Sequence, residues 1–167
     1  ATGLAAKARP YYCPGLENFQ GKTLDSSQYS SGKEFRDKKV LVVGFGNSAC
    51  EIALCLYENG ARPAMSVRNC VNILPRDIAG ISVVSIAVAE NWLTKISPRI
   101  PDAINRPILA LINRRINNLG LNECKHGPLT QITQNKKIPL LDIGTMRLIR
   151  EKKINVFPGI LEVGQNH

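Results

Sequence analysis

The chain has 167 residues, 44% of them hydrophobic and 21% charged, which fits one globular domain with a buried core and excludes a disordered or fibrous chain. Aromatic residues make up only 5%, so that core is mainly aliphatic. The net charge of +9 favours anionic partners, but the basic residues form no single long block. The charge is therefore read as solvated surface with local use by a phosphorylated small molecule, not as a nucleic-acid face. No apolar run is long enough for a transmembrane segment.

Residues 1–38 are rich in Gly, Pro and Ser and read as a segment connecting this domain to another. The chain opens Ala1-Thr2-Gly3 without Met, which suggests a fragment of a longer protein. Residues 39–167 then read as one domain. Lys39 to Gly44 is a short apolar run ending in glycine, the signal of a buried parallel strand. Asn47 to Asn59 follows as a helix with Ile52, Leu56 and Asn59 on one side and Gly60 as its stop. Ala64 to Arg68 is the next strand, which completes a βαβ unit. A helical insertion at about residues 80–120 contains Ser82–Lys95 and Ile108–Leu119, with Pro107 in a first turn, and is expected to pack against another domain. Ile138–Asp142 reads as a strand or extended entry, Gly144–Lys153 as a short helix and Ile154–Phe157 as a last strand, ended by Pro158-Gly159. The fold class is α/β, a Rossmann-like NAD(P)-binding domain with a central parallel sheet, helices on both faces and the helical insertion.

The five cysteines are odd in number and irregularly spaced, with no C-x-x-C pair, so no metal site is expected. Their usage fits a reducing compartment, and a cytoplasmic location is expected. Cys50 and Cys55 read as small buried hydrophobes on the first helix.

The informative segment is Gly44-Phe45-Gly46-Asn47-Ser48-Ala49, which matches G-x-G-x-x-G/A between a strand and a helix. Gly44 permits the tight turn, and Gly46 lets backbone approach a pyrophosphate. Ala49 is small enough for close helix–strand packing. Asn47 or Ser48 would cap the helix or donate a further hydrogen bond. The helix N-terminus offers N–H groups and partial positive charge to phosphates. At the end of the second strand, where NAD-binding proteins place an acid, this chain has Arg68. A guanidinium pairs with the 2′-phosphate of NADP that a carboxylate would repel, so NADPH is expected over NADH. Arg76, in Leu74-Pro75-Arg76, is a second candidate cation. Tyr29 and Lys33 match the Y-x-x-x-K pair of short-chain dehydrogenases, but they precede the glycine motif and read as a decoy. His126 reads as a loop residue. No catalytic residue is assigned within the chain.

These motifs in order resemble class B flavin monooxygenases, and among them the YUCCA-like enzymes. Ala1-Thr2-Gly3 resembles the link between FAD and NADP domains. Pro14-Gly15-Leu16-Glu17, the glycine motif with Glu51, Val67-Arg68 and Leu74-Pro75-Arg76 resemble successive stretches of the family's NADP domain. Gly127-Pro128-Leu129, Leu141-Asp142-x-Gly144-Thr145 and Pro158-Gly159-Ile160 extend the likeness over nearly the whole chain. Asp25 departs from it, standing where the family carries a histidine. The resemblance implies that NADPH binds this domain and reduces FAD held in another domain of the same full-length chain. It further implies that O₂ is activated as a flavin C4a-hydroperoxide and that one oxygen is passed to a small organic substrate. The isolated chain is expected to be inactive. Two alternatives remain at this point: the pyridine-nucleotide domain of another FAD/NAD(P) oxidoreductase such as a disulfide reductase, and a basic non-enzymatic interaction module.

Overall fold

Val40-Leu41-Val42-Val43 puts four branched apolar side chains in a row, which favours an extended backbone; they form strand β1 (Lys39–Val43). The computed structural model describes residues 13–75, 77–78, 81–82, 100, 103, 106–107, 110, 116–122, 124 and 140–164. Helix α1 (Asn47–Glu58) leaves the glycine loop after β1 and leads to strand β2 (Arg62–Val67), which lies parallel to β1. The βαβ unit stands where the sequence places it. The buried stripe of α1 is Cys50, Ala53 and Leu56, one helical face turned slightly from the expected Ile52, Leu56 and Asn59. Ile52 and Asn59 are half-buried. Asn59 instead closes the helix, its Nδ2 donating to the Cys55 carbonyl at 2.8 Å.

Beyond this unit come β3 (Ile73–Pro75), β4 (Asp77–Ile78) and β5 (Ile81–Ser82). They are followed by β6 (Leu140–Asp142), α2 (Thr145–Arg150) and β7 (Asn155–Pro158). The chain order is thus that of an α/β Rossmann-like domain. β2 is the middle strand of a parallel sheet with β1 and β7 on its two sides. Val42, Met65 and Val156 share one face and meet α1, where Met65 is 0% exposed. The other face carries Leu41, Val43 and Phe157, each about half exposed. β3 pairs in parallel with β6, and β4 with β5 in antiparallel.

Several expectations are adjusted. Strand β3 was not anticipated, because three residues ending in Pro75 give too short a run to signal. Ser82 stands in β5 and does not open a helix. Of the expected Ile108–Leu119 helix, Ala110 is helical and Ile116–Leu119 is a 3-10 turn. Ile100, Ala103, Arg106 and Pro107 are also helical, so Arg106 precedes Pro107 within helix. The remainder of both insertion helices, and Ile138-Pro139, lie outside the described residues. α2 stops at Arg150, three residues short of Lys153, because the chain turns at Lys152 with φ 56°.

Two polar contacts fasten α2. Asp142 Oδ1 accepts from the N–H groups of Gly144 at 3.0 Å and Met146 at 3.1 Å, which satisfies donors in the first turn. Thr145 is fully buried and donates from Oγ1 to the Cys50 carbonyl at 3.1 Å, joining α2 to α1. Two of the five cysteines are paired, Cys70 with Cys124, with Cα atoms 5.0 Å apart. The odd count and irregular spacing of the cysteines carry no signal of this bridge, since its two members lie 54 residues apart. The bridge and the hydrogen bond from Val71 N–H to the Asn122 carbonyl (2.8 Å) form a neck that ties residues 70–71 to residues 122–124.

Met65→Ala removes a fully buried side chain from the middle strand, and urea unfolding is expected to show a loss of about 2–5 kcal/mol with the m-value unchanged. A loss under about 1 kcal/mol would mean that this sheet face is not the core.

Candidate functional site

The cleft lies where β1 and β2 end side by side. It has a volume of about 440 Å³ and is lined on one wall by Val43, Gly44, Phe45 and Gly46. The other wall runs from Ser66 to Asn72, and Leu140 and Gly159 complete the lining. Gly44 N–H donates to the Ser66 carbonyl at 2.9 Å, so the loop is bound to the end of β2.

The two glycines of the loop differ physically. Gly44 has φ +120°, a backbone region that favours glycine, and a Cβ there would meet open space. Its requirement is conformational. Gly46 has φ −110° and ψ 178°, an extended conformation any residue adopts, and a Cβ there would also meet nothing. The fold's own use for glycine at 46 is thus limited to the modest preference for it over alanine at a helix N-cap. A group that approaches the backbone closely gives a stronger reason.

Gly46 is also the N-cap of α1, with no side-chain cap; Asn47 and Ser48 do not fill that role. Gly46 O accepts the first helical bond from Cys50 N–H at 3.0 Å. The N–H groups of Asn47, Ser48 and Ala49 have no acceptor within the helix and carry its positive dipole end. Asn47 Oδ1 accepts from Leu141 N–H at 3.0 Å, which fixes the helix start against β6 and leaves Nδ2 as its donor group. Ser48 is exposed, while Ala49 packs half-buried on the core as its small size allows.

Arg68 follows directly on β2 and is exposed on the opposite wall of the cleft. Among the described residues no carboxylate pairs with it. The sequence reading missed the residue that sets its place. A Cβ on Gly159 would lie 3.0 Å from both Cβ and Cγ of Arg68. These are stem atoms next to the backbone and cannot swing away cheaply. The backbone beneath is held as well, because Val67 pairs with Pro158 and Ser66 Oγ donates to the Pro158 carbonyl at 2.9 Å. In the sequence Pro158-Gly159 reads as a strand end and as part of a family-like stretch, with no link to Arg68. Arg76 lies outside the described residues, as does His126.

Other candidates fall away from the cleft. Tyr29 stacks on Phe35 with ring centroids 6.1 Å apart, and burial followed by the neighbouring Cys55 keeps its hydroxyl protonated well above the usual phenol range. Burial, reinforced by the Asp142 carboxylate, pushes the Cys50 thiol up to about 12, so it remains an inert core thiol. Asp25 caps a 3-10 turn, its Oδ1 accepting from Ser27 Oγ at 2.6 Å and Ser27 N–H at 2.9 Å. Those bonds hold its carboxyl below the ordinary value. Among the described residues there is no metal-binding cluster, and no helix is long and apolar enough to cross a membrane.

Residues 6–164 match the family described as Flavin-binding monooxygenase-like. The chain is 38% identical over 164 residues to indole-3-pyruvate monooxygenase YUCCA1 of Oryza sativa subsp. japonica, covering 98% of this chain and 40% of the relative. It is 41% identical over 170 residues to the probable indole-3-pyruvate monooxygenase YUCCA1 of Arabidopsis thaliana, covering 98% and 39%. A solved flavin monooxygenase from Stenotrophomonas maltophilia, a mutant form, shares the fold. Its TM-score is 0.52 at 15% identity, over 95% of this chain and 33% of that one. The chain spans about two fifths of the length of the curated relatives it matches.

The contrast between the glycines is testable without any ligand. Gly44→Ala is expected to cost about 1–3 kcal/mol in denaturant unfolding because it forces an L side chain into a strained region. Gly46→Ala is expected to cost under about 1 kcal/mol, the difference between glycine and alanine at an N-cap. Equal costs at the two positions would sink the distinction.

Proposed function

The chain belongs to the flavin-binding monooxygenase-like family, and we propose that its residues 39–167 are the NADP(H)-binding domain of such an enzyme. Residues 1–38 are, in this reading, the segment that joins it to the FAD domain of the same full-length chain. The observation that carries the reading is Gly46: neither its backbone angles nor its surroundings require glycine beyond a small N-cap preference, and it faces a cleft with helix N–H groups on one wall and Arg68 on the other. A dinucleotide supplies what both walls fit. Its pyrophosphate takes the amides of residues 46–49, while Asn47 Nδ2 and the Ser48 hydroxyl add donors. Its 2′-phosphate takes the Arg68 guanidinium.

The chain's own course supports a domain inserted in another. Val163 N–H donates to the Pro14 carbonyl at 2.9 Å, so the incoming and outgoing segments run side by side. Gly15, at φ 83°, admits Val163 where a side chain would collide with it.

When bound, the nicotinamide cofactor supplies hydride to a flavin, which with O₂ oxygenates a small organic substrate. The residues of this chain bind and orient the nucleotide, and none is assigned a proton or a covalent role. The relatives are named for indole-3-pyruvate, an indolic 2-oxo acid, and a substrate of that class is proposed for the full-length protein. Its expected location is cytoplasmic. Family membership favours this over a disulfide reductase or a basic interaction module.

Fluorescence titration is expected to show tighter binding of NADPH than NADH, with Arg68→Ala removing most of the difference at a loss of about 1.5–3 kcal/mol for NADPH. Gly159→Ala is expected to erode the same preference while leaving NADH affinity near that of the parent, because its Cβ displaces the Arg68 stem. Equal affinity for the two nucleotides in the parent chain would refute the assignment.

A further inference from the structure

We propose that the Cys70–Cys124 disulfide is a reducible clamp on the rim of the nucleotide cleft, and that its opening by a dithiol weakens NADP(H) binding. The proposal rests on the nucleotide reading of the cleft. Arg68, Asn69 and Cys70 are consecutive, exposed and outside any strand, and all three line the cleft. This rim is held at its start by Val67, paired with Pro158 in the sheet. It is held at its far end by Val71, whose N–H donates to the Asn122 carbonyl at 2.8 Å. Between those anchors the disulfide pins Cys70 to a residue 54 positions along the chain, two residues from the guanidinium. The rim that presents Arg68 is thus fixed covalently at one point and by backbone bonds only at its ends.

The chemistry is ordinary thiol–disulfide exchange. A thiolate of the dithiol attacks Sγ of exposed Cys70, the Cys70–Cys124 bond breaks, and Cys124 leaves as a thiolate that takes up a proton. The second thiol of the reductant then attacks the mixed disulfide, releasing Cys70 as a thiol. The protein gains two electrons and two protons, and the dithiol becomes a disulfide. Neighbouring cysteines do not compete, since Cys13 and Cys50 are buried and Cys55 is half-buried. Ile116, Leu121 and Val71 remain buried in the core below the neck. Reduction therefore loosens the rim without unfolding the domain, and its effect is graded.

The chain is titrated with NADPH in three forms: oxidised, reduced with dithiothreitol, and reoxidised. Cysteines are counted in each form by alkylation after denaturation. The expected counts are three alkylated cysteines when oxidised, matching Cys13, Cys50 and Cys55, and five when reduced. The expected affinity loss on reduction is about three- to tenfold, the scale of losing one pre-ordered side chain, and it is restored on reoxidation. A chain carrying Cys70→Ser and Cys124→Ser is expected to bind like the reduced form under every condition. Equal affinity in forms that differ in cysteine count overturns the clamp while leaving the nucleotide site standing. Five alkylated cysteines under oxidising conditions also overturn it. Absence of NADPH binding in both forms overturns the nucleotide reading itself.

Discussion

The loop from Gly44 to Gly46 must bring bare backbone to the mouth of a sheet, and the site depends on how that loop is held. An apolar β1 lies parallel to β2, and the hydrogen bond from Gly44 N–H to the Ser66 carbonyl carries the pairing one step past the end of the strand. The turn can then reverse into α1 only by passing through a backbone conformation at Gly44 that side chains resist. The cost of that conformation falls on the fold and is met by sheet pairing and by burial of Met65 and Leu56. Gly46 imposes no such cost. Folding and binding therefore place separate demands on neighbouring glycines of one short motif, and the two demands can be measured apart.

Much of this was legible because the signals are local. The apolar run 40–43, the glycine motif, the helical period to Gly60 and the arginine at the strand tip each depend on a few adjacent residues, and together they specify the βαβ unit. What was not legible depends on residues far apart in the chain. Asn47 looked like a cap or a phosphate ligand, but its carbonyl oxygen is taken by Leu141 N–H, 94 residues away. Gly159 looked like punctuation after a strand, yet it leaves room for the stem of Arg68. Cys70 and Cys124 share no spacing motif, and only the folded chain brings them together across 54 residues. Strand β3 was hidden because Pro75 ends it after three residues, and its partner β6 supplies the evidence of pairing. Asp25 is explained by its own neighbours: a carboxylate accepting from Ser27 is what a tight 3-10 turn lacks.

The long-range contacts make the start of α1 a junction. Asn47 binds it to β6, Thr145 binds its next turn to α2, and Asp142 between them anchors the first turn of α2. These bonds sit at the edge of the core or within it, where an unpaired partner is costly, so they fix the direction of the helix more firmly than propensity would. A helix whose amides are proposed to act on phosphates must point correctly, and that direction is set from the far end of the sequence. The opposite wall is built differently. It is irregular chain that carries a long flexible side chain, and its order comes from a disulfide and from one glycine's missing atoms.

Charge has a secondary part in this design. The described ion pairs, Lys22–Glu34 at 3.5 Å and Arg147–Glu151 at 3.9 Å, are exposed, and pairs of that kind contribute at most about 1 kcal/mol each. The net charge of +9 thus does little to hold the fold together. At physiological salt the screening length is about 8 Å, so basic residues beyond the cleft act on an approaching anion mainly by steering it. Discrimination between two nucleotides that differ by one phosphate requires a cation in contact with that phosphate. Among the described residues that line the cleft, Arg68 is the one with that charge. On the proposed reading, selectivity would follow from where the stem of Arg68 is held, and the overall basicity would govern how fast the nucleotide arrives.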